Sequence, residues 1–402
     1  MKKVLSSCLA LLLILSGITV SFAAESGKTA VAAAGTAATP SAIETTGSAV
    51  VIPDMTFTGT TIKLSLDAAY TKMLSDSSGA KMAELNKQSA YGISQGYGES
   101  VRLINKAQDA GRDYSTTSKN ILKLQQEYAV TQGPKNYQSE VNKLKNDTLE
   151  NYYSLKELEN QVQIAKDNLA LKEKLLNNTQ LKYKLGTVSK SDVLQAETSM
   201  LEAKDGLVAA QNGLDSMKMG FNQFMGYGLM QNVTLTDIIT EVPLSGKTLE
   251  SSIKEALVNR NEIASAKFGL QVATLNLENY KAYPSNSSKF ISAKIAMLMA
   301  QTNYDNAPLT VESDVRTKYM TMQAKYSAVQ TGKKAVENAK ESARLAQLQY
   351  DAGMATLSDV EGAQLAYYNE QLDYSKALLE YNLAVNAYEL SSTVGTTAAS
   401  ID

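Results

Sequence analysis

The chain has 402 residues, its 39 basic and 41 acidic side chains nearly cancel, and it contains no histidine, no tryptophan and one cysteine, Cys8. The charge balance gives no electrostatic case for nucleic acid or for an anionic membrane surface. With Cys8 in a segment read below as a signal, thiolate, disulfide and imidazole chemistry are missing, which excludes the usual nucleophiles and His or Cys metal sites; no catalytic residue, metal ligand set or cofactor motif is expected, and carboxylates, Lys and Tyr nowhere cluster to suggest an enzyme.

Residues 1–23 read as a secretory signal. Lys2 and Lys3 form the basic start, an apolar run extends from Leu9 to Val20, and Ser21 and Ala23 supply small residues before a cut at Ala24. The run is short for a bilayer span. A "LSSC" stretch at Leu5–Cys8 resembles a lipidation box but precedes the apolar core instead of following it. Residues 24–60, rich in Ala, Thr, Gly and Ser with Pro40 and Pro53, read as a flexible tether. No later stretch is apolar enough for a transmembrane helix.

Beyond the tether the composition turns to Leu, Ala, Lys, Glu, Gln, Asn and Tyr, which favours helix. Only Pro134, Pro243, Pro284 and Pro308 interrupt it. Proline disrupts helix interiors, so long helices are expected where it is missing, and residues 137–185 would make a rod of about 70 Å. Val193, Ala196, Met200, Ala203, Leu207, Ala210, Leu214, Met217, Phe221 and Phe224 step by three and four without a break, which is a heptad seam. Shifted by 167 residues, the seam recurs at Val360, Ala363, Tyr367, Glu370, Tyr374, Ala377, Tyr381, Ala384, Tyr388 and Ser391. The segments before them match likewise, from Leu155 to Leu176 and from Val315 to Val336. The tyrosines either pack in the seam or line a wet face through their hydroxyls. A second apolar stripe, Leu365, Tyr368, Leu372 and Leu379, suits a helix with neighbours on both sides, as in the wall of a tube or in a plain bundle.

The fold class expected is therefore all-α: long antiparallel coiled-coil hairpins in two tandem repeats, at residues 61–235 and 236–396, with a short tail at 397–402. "LSLDAAY" near Leu66 and "LESSIKEAL" near Ile253 resemble the starts of the two halves.

"YKLGTVSKSDVLQAE" from Tyr183 and "YDAGMATLSDVEGAQ" from Tyr350 share six of fifteen positions. In each, a helix ends, glycine (Gly186, Gly353) supplies a left-handed residue, two residues link, and an S/T-x-x-D start signal follows. Ser189 with Asp192 and Thr356 with Asp359 are the expected caps. Each stretch reads as a tight reversal at the tip of a long hairpin.

A signal segment, two duplicated halves and a Y-x-x-G-x-x-[ST]-x-x-D-V tip in each resemble the TolC family of outer-membrane efflux proteins, over roughly Ile62 to Gly395. The resemblance implies a homotrimeric helical tunnel, a conduit without chemistry of its own. One end carries a β-barrel; at the other, the tips meet a periplasmic adaptor (membrane fusion) protein attached to an inner-membrane pump. By that resemblance Gly186, Thr187, Val188, Gly353, Met354 and Ala355 face the adaptor. Asp192, Asp359 and Tyr350 correspond to residues of the closed, constricted end, whereas the next aspartate position is Gly362 and the position of a locking arginine is Ala355. Asp192 and Asp359 could equally serve as helix caps alone.

Family members insert a strand hairpin in each half, and a membrane strand needs about 9–11 alternating residues. The two places available, Ile93–Ser118 and Pro284–Pro308, do not alternate in that way, and the second reads as an amphipathic helix. A missing or vestigial barrel is expected. Two functions fit: an envelope export conduit, in an outer membrane where the cell has one and otherwise extracytoplasmic, or a secreted coiled-coil scaffold with no channel.

Overall fold

Serine and threonine start the helices. Ser65, Ser77, Ser115, Ser189, Thr248, Ser287 and Thr356 each stand just before a helix and accept a first-turn N–H through the side-chain oxygen. Each satisfies a donor that the helix itself cannot. A computed structural model describes residues 56–401. The expected signal, and the tether up to residue 55, lie outside the described residues.

The elements run β1 (Thr58–Leu64), α1 (Leu66–Asp76), α2 (Ser78–Asp109), α3 (Thr116–Lys184), α4 (Lys190–Met225), β2 (Gln231–Leu235), α5 (Leu249–Asn259), α6 (Asn261–Asn279), α7 (Ser288–Asp351) and α8 (Leu357–Ser391). The helix starts seen near Leu66 and Ile253 are α1 and α5. β1 begins at Thr58, inside the stretch expected to be tether.

The prolines do not bound the rods as expected. Pro134 lies inside α3 and Pro308 inside α7, so α3 runs for 69 residues and α7 for 64, about 104 and 96 Å. Each proline deletes one bond, to the carbonyl of Val130 or Tyr304. Small residues precede both, Gly133 and Ala307, which eases the clash with the proline ring. Packing along the rest of each rod outweighs the one missing bond.

The heptad seams form the cores. Around the strands, Leu64, Met73, Tyr152, Leu155, Phe221 and Leu235 cluster; in the second half, Val311, Val315, Val329, Tyr381 and Tyr388 do. Tyr381 and Tyr388 are fully buried, donating to the carbonyls of Val242 at 2.9 Å and Lys247 at 3.3 Å. These tyrosines fill the seam and do not line a wet face.

Among the described residues the strands are β1 and β2, paired in parallel with Ile62 opposite Val233 and Leu64 opposite Leu235. Neither place where a membrane hairpin would stand holds a strand: Ile93–Ser118 runs from α2 through the turn at residues 110–115 into α3, and Pro284–Pro308 runs from the turn at residues 280–287 into α7. The all-α expectation without a β-barrel holds for the described residues, none of whose helices is long and apolar enough to cross a membrane.

In the half that carries the reversals, α3 packs between α4 and α8, and α7 packs on α8. In the other half α3 packs between α2 and α6, and α7 on α6. Between the halves, Asn136, Asn261 and Asn142 donate to the carbonyls of Ala399, Thr397 and Gly395, fastening the end of the chain to α3 and α6. At the far end Tyr128 stacks on Phe268 with centroids 3.8 Å apart, and Ser115 donates to Asn279 at 2.9 Å.

Candidate docking site at the two helical tips

The two reversals are built alike from local chemistry. Gly186 and Gly353 have φ of 75° and 74°, which an L side chain rarely adopts. Gly186 N–H donates to Tyr183 at 2.9 Å and Thr187 N–H to Lys182 at 3.0 Å; Gly353 N–H donates to Tyr350 at 3.0 Å and Met354 N–H to Gln349 at 2.8 Å. These paired bonds satisfy the last carbonyls of α3 and α7. Both following helices carry complete capping boxes. Asp192 accepts from the Ser189 N–H and hydroxyl, each at 2.8 Å, and Asp359 accepts from the Thr356 N–H at 2.8 Å and hydroxyl at 2.6 Å. The Thr356 hydroxyl and N–H hold the Asp359 carboxyl below its ordinary pKa of 3.8.

The tips lie side by side. Leu175, Ala196, Tyr350, Leu357 and Val360 make a small core joining all four helices. Gly186, Val188, Asp192, Tyr350, Ala355 and Leu357 line a shallow groove between the turns. Of the six residues expected to meet an adaptor, Gly186, Thr187, Gly353 and Met354 sit exposed on the crest, while Val188 and Ala355 are half-buried toward the groove. Ser189, Thr356 and Asp359 are exposed, and Asp192 is half-buried. Met354 is 76% exposed, and Leu185, which the motif did not single out, is 70% exposed.

The repeat is broken at Tyr350. Tyr183 is exposed, but its counterpart Tyr350 is buried against the first hairpin. Its hydroxyl lies 3.2 Å from Thr179 Oγ1, and Lys182 donates to its carbonyl at 2.7 Å while standing 3.6 Å over its ring. Asn178 donates to Asp351 at 2.9 Å. One helical turn and more below, buried Lys172 donates to Gln364 Oε1 at 3.1 Å. Burial pulls the Lys172 ammonium pKa down, opposed by Glu361 and Glu202. Sequence reasoning missed these ties. One signal was available: position 182 is basic, and its counterpart 167 residues on is Gln349.

The site offers exposed methylene groups, peptide edges and capped turns. Among the described residues, no group of three or more His, Cys, Asp or Glu could hold a metal.

Residues 244–395 match the family described as Outer membrane efflux protein. The chain carries an outer membrane efflux protein domain. No curated protein matches the sequence. The fold over most of the chain is that of the TolC-family channels. It is similar to the outer membrane protein VceC from Vibrio cholerae, with a TM-score of 0.66 at 13% identity, covering 83% of this chain and 97% of that one. It is also similar to the Campylobacter jejuni CmeC outer membrane channel, with a TM-score of 0.64 at 11% identity over 84% and 87% of the two chains. The outer-membrane channel OprN gives a TM-score of 0.63 at 13% identity, over 82% and 90%. The matched domain contains the second tip, with Gly353, Thr356 and Asp359. The first tip, outside it, repeats the same bonds.

Proposed function

We propose that the chain is the tunnel-forming component of an envelope export conduit, docking an adaptor protein through its paired tips. The observation that carries this reading is the doubled reversal. Two independently capped turns end side by side and present Leu185 and Met354 to solvent at one crest. The outer membrane efflux protein domain and the channel fold support export as the activity. The signal read at residues 1–23 directs the chain out of the cytoplasm.

Conduction requires copies to close a ring. In the tip half α4 packs mainly on α3 and α7 mainly on α8. Each bears exposed apolar residues, Leu201 on α4 and Leu345 on α7. A contact between these two surfaces on successive copies is heterologous, and it closes into a ring when the rotation from copy to copy completes a full turn. In the ring, a trimer by family resemblance, Asp192 and Asp359 stand at the narrow end, and Lys182 holding Tyr350 keeps it shut. The inner-membrane pump is reached through the adaptor.

The proposal is tested by whether a neighbouring coding region specifies an adaptor with a helical hairpin, and whether that hairpin binds the chain. Leu185→Glu with Met354→Glu should weaken binding at least tenfold while leaving helix content unchanged. Undiminished binding would overturn tip docking. The helical far end also fits a secreted coiled-coil scaffold, which would remain monomeric and bind no adaptor.

A further inference from the structure

The near-neutral charge of the whole chain conceals an uneven distribution along the rods. α2 ends and α3 begins at the turn of residues 110–115; α6 ends and α7 begins at the turn of residues 280–287. Ser115 donates to Asn279 across the two turns at 2.9 Å, so they make one crest, at the opposite end of α3 from Gly186. Within eight residues of either turn, about 12 Å along a helix, stand eight basic and three acidic side chains. Within the same span of the two reversals, at residues 185–189 and 352–356, stand four basic and five acidic ones.

The protomer leaves these cations free. Of the eight, Lys281 alone is in an ion pair among the described residues, with Glu278 at 3.4 Å. Arg102, Lys106, Arg112, Lys289 and Lys294 are exposed and unpaired. Along the rods, by contrast, Arg316 and Lys334 are neutralised by Glu312 and Glu337 of their own helix. Aromatic rings accompany the charge. Tyr114 and Tyr283 stand exposed on the two turns. Tyr280 lies 5.6 Å from Tyr283, and Lys289 stands 5.3 Å over the Tyr283 ring.

We propose that this crest docks end-on against an anionic phospholipid surface, with its free cations on headgroup phosphates and its tyrosines at the headgroup level. Basic side chains near an anionic leaflet are attracted to it. Tyrosine, with an apolar ring and a polar hydroxyl, favours the boundary between lipid and water. The contact is peripheral. The turns themselves are polar, with Arg112, Asp113, Ser285 and Asn286, and such groups stay with the headgroups because burying them in hydrocarbon is costly. This contact lies at the other end of the rods from the docking tips and does not depend on them.

Flotation of the exported chain with vesicles tests it. The chain should float with phosphatidylcholine–phosphatidylglycerol vesicles and not with phosphatidylcholine alone. Salt at about 1 M, where charges are screened beyond about 3 Å, should release it. Arg112→Glu with Lys294→Glu should lower the partition coefficient by about tenfold or more. Lys166→Glu with Lys340→Glu, the same charge change at exposed positions along the rods, should leave it nearly unchanged. The tip variant Leu185→Glu with Met354→Glu should float like the parent, so failure of adaptor docking and failure of lipid docking are separate results. Equal loss in the crest and rod variants would ascribe binding to net charge and overturn the proposal. Flotation with phosphatidylcholine alone, flotation that survives salt, or no flotation at all would also overturn it. Capture on polyphosphate beads without flotation would assign the crest to a soluble polyanion, against the lipid assignment.

Discussion

Lys182 and Tyr350 join the two halves at their tips: the ammonium stands 3.6 Å over the ring and donates to the same residue's carbonyl at 2.7 Å. Asp351 adds a longer ion pair at 3.7 Å. Lys182→Met should destabilise the chain by about 1–2 kcal/mol, since cation–π contacts contribute about 0.5–2 kcal/mol and a hydrogen bond about as much. In a double-mutant cycle with Tyr350→Leu, read by urea denaturation, a coupling of about 1 kcal/mol is expected. Zero coupling would mean that the tips do not hold each other.

The reversals give a second test. Gly186 and Gly353 adopt φ of 75° and 74° with empty space around them, so alanine there meets no clash. The cost is conformational only, about 1–2 kcal/mol at each site. The two substitutions should add, being on separate turns. A Gly186→Ala variant as stable as the parent in thermal denaturation would contradict the left-handed cap.

Asp359 sets a pH dependence. Its carboxyl is held below 3.8 by Thr356 in the folded state. A depressed folded pKa contributes stability that is present above the unfolded value and lost as pH falls through the folded one. Fraying of the second tip is therefore expected below about pH 3.8, seen as faster amide exchange at residues 354–360. In Asp359→Asn this acid response should vanish.

Tyr152 pins the strand pair to α3. Its hydroxyl donates to the Leu64 carbonyl at 3.0 Å and lies 3.0 Å from Asp237 Oδ2. Burial first pushes its pKa up to about 12, opposed by the Asp237 N–H and supported by the Asp237 carboxylate. A raised folded pKa gives stability that is complete below the unfolded value of 10 and lost as pH rises through about 12. Tyr152→Phe removes the hydroxyl that accepts from the Asp237 N–H at 3.2 Å, while the Leu64 carbonyl keeps the Thr236 N–H at 3.0 Å; the loss should cost about 1–3 kcal/mol. The variant should also lose less stability than the parent across that window, the remainder coming from Tyr70, which burial likewise pushes up to about 12.

What the sequence made legible was local. Gly186, Ser189 and Asp192 name a reversal because a left-handed glycine and a capping box depend on neighbours within five residues. The seams from Val193 and from Val360 were readable because packing repeats every seven residues. The prolines misled: Pro134 and Pro308 remove one bond each from rods held along their whole length by neighbours. Lys182 against Tyr350, and Lys172 against Gln364, depend on how α3 lies against α7 and α8, and a single helix's periodicity carries no record of that. The pairing of β1 with β2 spans 171 residues at its Ile62–Val233 contact, and neither strand is long enough to announce itself.

Electron cryomicroscopy of the exported protein in lipid nanodiscs tests the central claim most directly. A closed ring of copies with a continuous lumen is expected, helical from the Gly186 and Gly353 crest to the far turns. A monomeric bundle, with the α7 edge from Ile291 to Leu348 left in solvent, would contradict it.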